Sequence, residues 1–560
     1  MTRRAPARRV LVLGLDGATL DVVRPLAQAG RLPNLARWMA EGAAAPLAST
    51  IPPVSFPAWS TFATGLSPGE HGLFDFTQKV PGAYRIRFTN ATDRRGETIF
   101  ARASRAGVRV LCLGMPATFP PEPVNGLLVS GFDAPVSTGT DARSASDPGL
   151  YRALAARSGP WMTPDLDEGA HGPGWHDAAP ALLRRRVARK TAFALEALHT
   201  LGMGAAAGAA APELACVVFA ESDTVQHHFW RDFDPESPRH DPSASRERRD
   251  AIASLYAALD SACGALREAM GEDSLVVVVS DHGAGGASDR VVHVNAHLAE
   301  CGLLVRAPAP GGLALDAATR AARDLALRAL PAALVQRAFR RLRGAAARVE
   351  SAARFGGFDW ARSRAFSEEA NTQPGVWLNL RGREAAGSVA PAEAGRVRRD
   401  VIDALVDWKL PDGSPVVAWA RAREEVYAGP CVERAPDVVF ELALDAGYGL
   451  SLVATPWGAK RLASVRRLAP EEHGGGRGRG LNGTHRREGL CIASGAEWQG
   501  LGLVGGTRTP SLAEVGPALL GALGVEATPD AAAPPASRHD YDAGDEVLVA
   551  ARLRALGYLD

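Results

Sequence analysis

Unbroken apolar runs alternate along this chain with stretches of helical periodicity. Arg9–Leu15 (RVLVLGL), Val108–Leu113, Gly126–Ser130, Leu214–Phe219 and Ser274–Ser280 (SLVVVVS) are such runs. A strand that shows no polar alternation is buried on both faces, as strands of a parallel sheet are. Between the runs, apolar spacing predicts an amphipathic helix from about Thr19, a short amphipathic one over Phe56–Thr64, and others near Thr98–Ala106, over Ala181–Leu201 and over Glu247–Met270. Asp141–His176, rich in Gly, Pro and Asp, reads as loop covering part of a site. Strand and helix in alternation predict an α/β fold around a mostly parallel sheet.

The character changes at about Arg306. Asp316–Arg354 is an Ala- and Arg-rich helical stretch broken at Pro331 and Gly344, Trp377–Leu380 reads as a strand, and Pro391–Val406 as a helix with proline at its start. The sheet is expected to resume near Asp437–Phe440, followed by the strand Gly489–Ala493, the helix Leu512–Leu523 and a Pro/Ala-rich tail ending in a short helix. At 560 residues the chain exceeds what one core organises. The division expected is a catalytic core over 1–305, an inserted helical or mixed cap over 306–425, and the rest of the core with a C-terminal tail over 426–560.

Composition removes alternatives. A formal net charge of +1 gives no bulk attraction to nucleic acid or to anionic lipid. The arginines of 316–354 are spread around their helix without interleaved aromatics, unlike a nucleic-acid surface. The six cysteines lie far apart with no CxxC pair, so neither a zinc knuckle nor a disulfide framework is expected. No run of about 20 apolar residues is present, and the N-terminus shows no export segment. A cytoplasmic, reduced setting is the expectation.

Chemistry gathers where the apolar runs end. Arg9–Leu15 runs into Asp16-Gly17; Leu214–Phe219 opens onto Asp223 and His227, four apart and so on one face of a helical turn. Ser274–Ser280 ends in Asp281-His282, two ligand-type residues that cannot both pack into a core. In an open α/β sheet, strand ends of this kind share one edge, where ligands bind. His485 follows a Gly/Arg-rich loop and taken alone reads as a surface residue. His228 points away from His227, and His71, among glycines, reads as a loop stabiliser. Asp133 carries no assignment. Ser55 follows a Pro-Pro turn just before the helix Phe56–Thr64, with Pro57 in the first turn. Taken alone, a serine there reads first as a helix cap. Three aspartates and three histidines are enough for two metals, which would make Ser55 a nucleophile as well.

These motifs resemble the alkaline phosphatase superfamily, specifically its type I phosphodiesterase/nucleotide pyrophosphatase branch. The resemblance rests on Leu15-Asp16-Gly17, Pro53-Val-Ser55-Phe-Pro-Ala-Trp, Thr64-Gly65 with His71-Gly72, Asp223-x-x-x-His227, Ser280-Asp281-His282-Gly283 and Gly483-Thr484-His485, in the family's order. It implies a three-layer α/β/α sandwich with a cap, and two divalent ions, zinc first and manganese second. One ion would sit on Asp223, His227 and His485, the other on Asp16, Asp281 and His282, with Ser55 bridging towards both. The implied reaction is hydrolysis of a small phosphodiester or phosphomonoester through a phosphoryl-Ser55 intermediate. The alternatives are phosphoryl transfer to an alcohol and a metal-bound binding protein without turnover. Two departures stand out: Ser55 where many of these enzymes have Thr, and Phe76 where an Asn contacting phosphate is expected. The sulfatase branch would have Arg where this chain has Trp59.

Overall fold

The computed structural model describes residues 9–135, 142–161, 175–205, 212–307, 354–355, 357–370, 372–455, 463–475, 479–495, 498–503, 508–528 and 541–555. The arginine-rich stretch 316–353 lies outside the described residues. Seven strands make the central sheet: β1 (Arg9–Leu15), β2 (Ala43–Ala48), β3 (Arg109–Met115), β4 (Gly126–Ser130), β5 (Glu213–Phe219), β6 (Leu275–Val279) and, late in the chain, one over Glu488–Ser494. Two site strands complete the set used below: β7 (Gly283–Val292) and β8 (Gly483–Arg486), which makes the late sheet strand β9. The sheet order is β2-β9-β6-β1-β5-β3-β4. β1 pairs in parallel with β5 and β6, and β9 runs antiparallel to both of its neighbours.

Both faces of the sheet are covered, which is why its strands read as continuous apolar runs. Leu11, Leu13 and Leu15 of β1 pack into one layer with helices α1 (Leu20–Gln28), α3 (Trp175–Thr200), α4 (Glu221–Phe233) and α5 (Ala251–Met270). Val10 and Val12 pack into the opposite layer with α2 (Ser55–Thr64) and α6 (Leu512–Ala522). The result is a three-layer α/β/α sandwich. Each fully buried aliphatic side chain of this kind contributes about 1.5–3 kcal/mol relative to exposure.

A second body grows from β7. A five-stranded sheet combines β7 with Leu444–Asp445, Tyr448–Leu452 and Val465–Arg467, and β8 pairs antiparallel to β7 as well. A four-stranded sheet takes Ala365–Phe366, Gly375–Leu378, Val417–Ala422 and Val438–Leu442. The segment at Asp437–Phe440 therefore joins this sheet and not the central one, because Val438 and Phe440 bury against Val376, Val401 and Leu405. Two further expectations are corrected. Pro148–Ser158 is a helix where loop was expected, started by Asp147, whose side chain accepts from Gly149 and Leu150 N–H. The helix expected over Glu247–Met270 is broken at Asp250, whose carboxylate holds Arg31 at 2.6 Å.

Candidate metal centre

Asp16 leaves the carboxyl end of β1 with its backbone N–H on Phe219 O of β5. The next residue has to be glycine: Gly17 has φ +65°, and a Cβ there would meet Asp223 Oδ1 at 2.7 Å. That close approach brings the ends of β1 and β5 together. Gly17 N–H donates to Asp281 Oδ1 at 3.1 Å, which joins the end of β6 to the same place. Two buried side chains of helix α4 reinforce the turn, Ser222 donating to Asp16 O at 2.7 Å and Gln226 Nε2 to Gly17 O at 2.9 Å.

Two triads of ligand-type atoms result. Asp223, His227 and His485 form one, and Asp16, Asp281 and His282 form the other, each with its donor atoms within 4.8 Å of one another. In the first, His227 Nε2 lies 3.2 Å from Asp223 Oδ2 and 3.0 Å from His485 Nε2, which is 3.6 Å from Asp223 Oδ1. In the second, His282 Nε2 lies 3.4 Å from Asp281 Oδ2 and 3.5 Å from Asp16 Oδ1. The rings of His282 and His485 stack at 3.7 Å, so the triads are adjacent. His485 keeps 13 % of its side chain exposed while Asp16 and His282 keep none, so the centre opens on the His485 side.

The histidine tautomers follow from their partners. His227 Nδ1 lies 2.9 Å from Gly483 O, His282 Nδ1 3.0 Å from Gly283 O and His485 Nδ1 2.8 Å from Pro53 O. A carbonyl only accepts, so each Nδ1 carries a proton, and each ring turns its Nε2 towards the carboxylates. Ligating histidines are held in this way. The donor set fits cations on a second count: Asp281 Oδ2 and His282 Nε2 are buried without a hydrogen-bond partner.

Electrostatics agree. Burial first, then the charges of Asp281 and Asp223, push Asp16 well above the usual carboxylate range. Burial likewise lifts Asp281 to about 8. Burial would also raise Asp223, but the attraction of His227 and then His485 outweighs it and holds this carboxylate below its usual range. Burial, then the neighbouring His282, keeps His485 well below an ordinary histidine. Positive charge placed among these groups would relieve the cost of holding Asp16 and Asp281 ionised.

Ser55 is the first residue of α2, not the residue before it; Val54 holds the capping position. Its Oγ donates to Asp16 Oδ1 at 3.3 Å. The cap reading is thus corrected: the serine faces the second triad. The helix is not amphipathic either, since all ten of its residues are buried. His485, expected beside a flexible loop, sits on β8, paired with Ala284 of β7. His71 and His228 stay outside the centre. His71 accepts Leu73 N–H at Nδ1 and meets Thr61 Oγ1 at Nε2, and His228 packs on Trp175. Phe76 lies against Phe56 at 4.5 Å, an apolar neighbour where a polar phosphate contact was expected. Trp59 was missed: its Nε1–H donates to Asp16 Oδ2 at 2.9 Å. Its spacing of four from Ser55 was the available signal.

The profile of the family described as type I phosphodiesterase / nucleotide pyrophosphatase matches residues 10–451. The chain belongs to that family. As a type I phosphodiesterase family member it is a hydrolase of phosphoric ester bonds in the alkaline phosphatase superfamily, a group that works with divalent metal ions on small phosphate esters. No curated protein sequence matches it. Among solved structures, phosphonoacetate hydrolase from Sinorhizobium meliloti 1021 with phosphonoformate gives a TM-score of 0.50 at 16% identity, covering 92% of this chain and 96% of that one. The same enzyme with phosphonoacetate gives 0.48 at 15% identity, with coverage of 92% and 96%. At this identity the first likeness supports the fold of the family member. Among its described residues no helix is long and apolar enough to cross a membrane.

Proposed function

We propose that this phosphodiesterase-family chain cleaves small phosphodiesters or phosphomonoesters, using Ser55 as nucleophile beside two cation sites. The observation that carries the reading is the convergence of three histidine Nε2 atoms and three buried carboxylates beside the Ser55 hydroxyl. Asp223, His227 and His485 would hold one divalent ion, and Asp16, Asp281 and His282 the other. Imidazole and carboxylate donors suit zinc, with manganese as the second choice. Bound there, the ions would polarise a phosphoryl oxygen and favour the ionised serine.

The chain's own residues define the rest. Asp16 Oδ1 receives the Ser55 hydroxyl hydrogen and so turns an Oγ lone pair outward. Ser55 Oγ forms a bond to phosphorus as the ester's alcohol leaves, and water then breaks the phosphoryl-Ser55 bond. The start of α2 adds a favourable dipole for anionic charge at Ser55. The test is hydrolysis of an aryl phosphodiester and an aryl phosphomonoester with added zinc or manganese. Ser55→Ala should lose several orders of magnitude in rate with both substrates while keeping its metal content. A variant that stays fully active removes Ser55 as the nucleophile.

A further inference from the structure

Trp59 stands one helical turn beyond Ser55, on the same face of α2. The two side chains close on a single carboxylate: Trp59 Nε1–H donates to Asp16 Oδ2 at 2.9 Å and Ser55 Oγ to Asp16 Oδ1 at 3.3 Å. Oδ1 also faces His282 Nε2, at 3.5 Å. Strand β1 makes the room for this grip, because a Cβ on Gly14 would come within 2.8 Å of Trp59 Cη2. The indole is fully buried and packs edge-on against Phe62 at 5.6 Å, so its N–H has no freedom to swing away. An indole N–H donates and never accepts, so its presence at Oδ2 fixes which way the carboxylate points.

We propose that Trp59 is a positioning residue that commits Asp16 to ligation through Oδ1 alone, the oxygen it shares with Ser55. The inference rests on the reading of Asp16, Asp281 and His282 as a cation site. With Oδ2 engaged by a directional donor, the carboxylate is kept from turning to present both oxygens to a cation. A cation held by Asp16 would thereby share its Oδ1 with Ser55, with Trp59 on the same helix setting the carboxylate. Outer partners of this kind typically change metal affinity about 10–100-fold.

The experiment titrates metal-free full-length protein with Zn2+ alone, reading binding constants by competition with a chelating dye. Wild type should show two tight ions per chain. Trp59→Phe, which keeps an aromatic ring and removes the donor, should weaken one constant about 10–100-fold and leave the other within about twofold. Phe62→Leu trims the packing of the same helix without touching Asp16; it should lower the melting temperature of the metal-free protein and leave both constants unchanged. If Trp59→Phe does not fold, Gly14→Ala, which keeps the indole but displaces it, is expected to weaken the same constant. Fewer than two tight ions on wild type overturns the cation-site reading itself. Two ions on wild type with unchanged or tighter constants in Trp59→Phe overturns the role of Trp59 alone. Equal weakening by Phe62→Leu overturns it too, by making the effect one of packing.

Discussion

At the scale of single residues, the histidines owe their usefulness to backbone carbonyls far from them in sequence. His485 is the clearest case, because Pro53 O, two residues before Ser55, fixes its ring at 2.8 Å. The stretch that carries Ser55 therefore also orients a histidine of the neighbouring triad. His485→Ala should leave about one bound metal per chain fewer than wild type, as three-ligand sites rarely survive the loss of one. Elemental analysis of protein purified in excess zinc checks this, and an unchanged metal content takes His485 out of the centre. In the sequence this residue looked unremarkable beside its glycine- and arginine-rich loop. Nothing local signals that Gly283–Val292 supplies the strand against which it pairs. Asp281-His282 was legible for the opposite reason: ligand-type residues at the mouth of Leu275–Val279 have no place in a core.

At the scale of elements, β8 has to lie directly on α4. Asn482 N–H donates to His227 O at 2.8 Å, and Gly483 O receives the His227 Nδ1 proton. A Cβ at Gly483 would sit 2.6 Å from Gln226 O, a backbone atom that cannot move aside cheaply. Gly483→Ala should therefore lift β8 off α4, cost about 1–3 kcal/mol of stability and weaken metal binding at the triad of Asp223, His227 and His485. Gly474→Ala, with nothing within 4 Å of its added methyl, is the matched control. Chemical denaturation and metal titration of both variants check the expectation, and equal behaviour of the two removes the packing argument. Elements buried on both faces were legible, since burial leaves an unbroken apolar run. β7 was not, because its sequence, GAGGASDRVV, draws strand character from its partners Tyr448–Leu452, Val465–Arg467 and β8 and not from its own propensity. Trp59 was hidden for a related reason: in a helix buried all round, a tryptophan looks like core until its N–H partner is known.

At the scale of the whole molecule, the centre is a knot that ties the first strand of the chain to one of its last. It gathers residues 16, 223, 227, 281, 282 and 485 into one volume, with three carboxylates inside it. Burying that much like charge is unfavourable unless it is compensated, and the raised proton affinities of Asp16 and Asp281 express the cost. Cations held by the folded chain and not by the unfolded one would add stability as RT ln(1 + [L]/Kd), about 2.7 kcal/mol at a free metal concentration of 100 Kd. Removing metal with a chelator should therefore lower the melting temperature. Back-titration with zinc or manganese should raise it continuously, by about 1.4 kcal/mol of stability for each tenfold increase in free metal per site. Replacing one ligand in each triad, as in Asp281→Asn with His227→Ala, should abolish the dependence on metal concentration. Scanning calorimetry across a buffered metal series measures this directly. A melting temperature that ignores free metal in the wild-type chain would mean that the two triads do not bind ions in the folded protein, and that the repulsion among their carboxylates is relieved by protons instead.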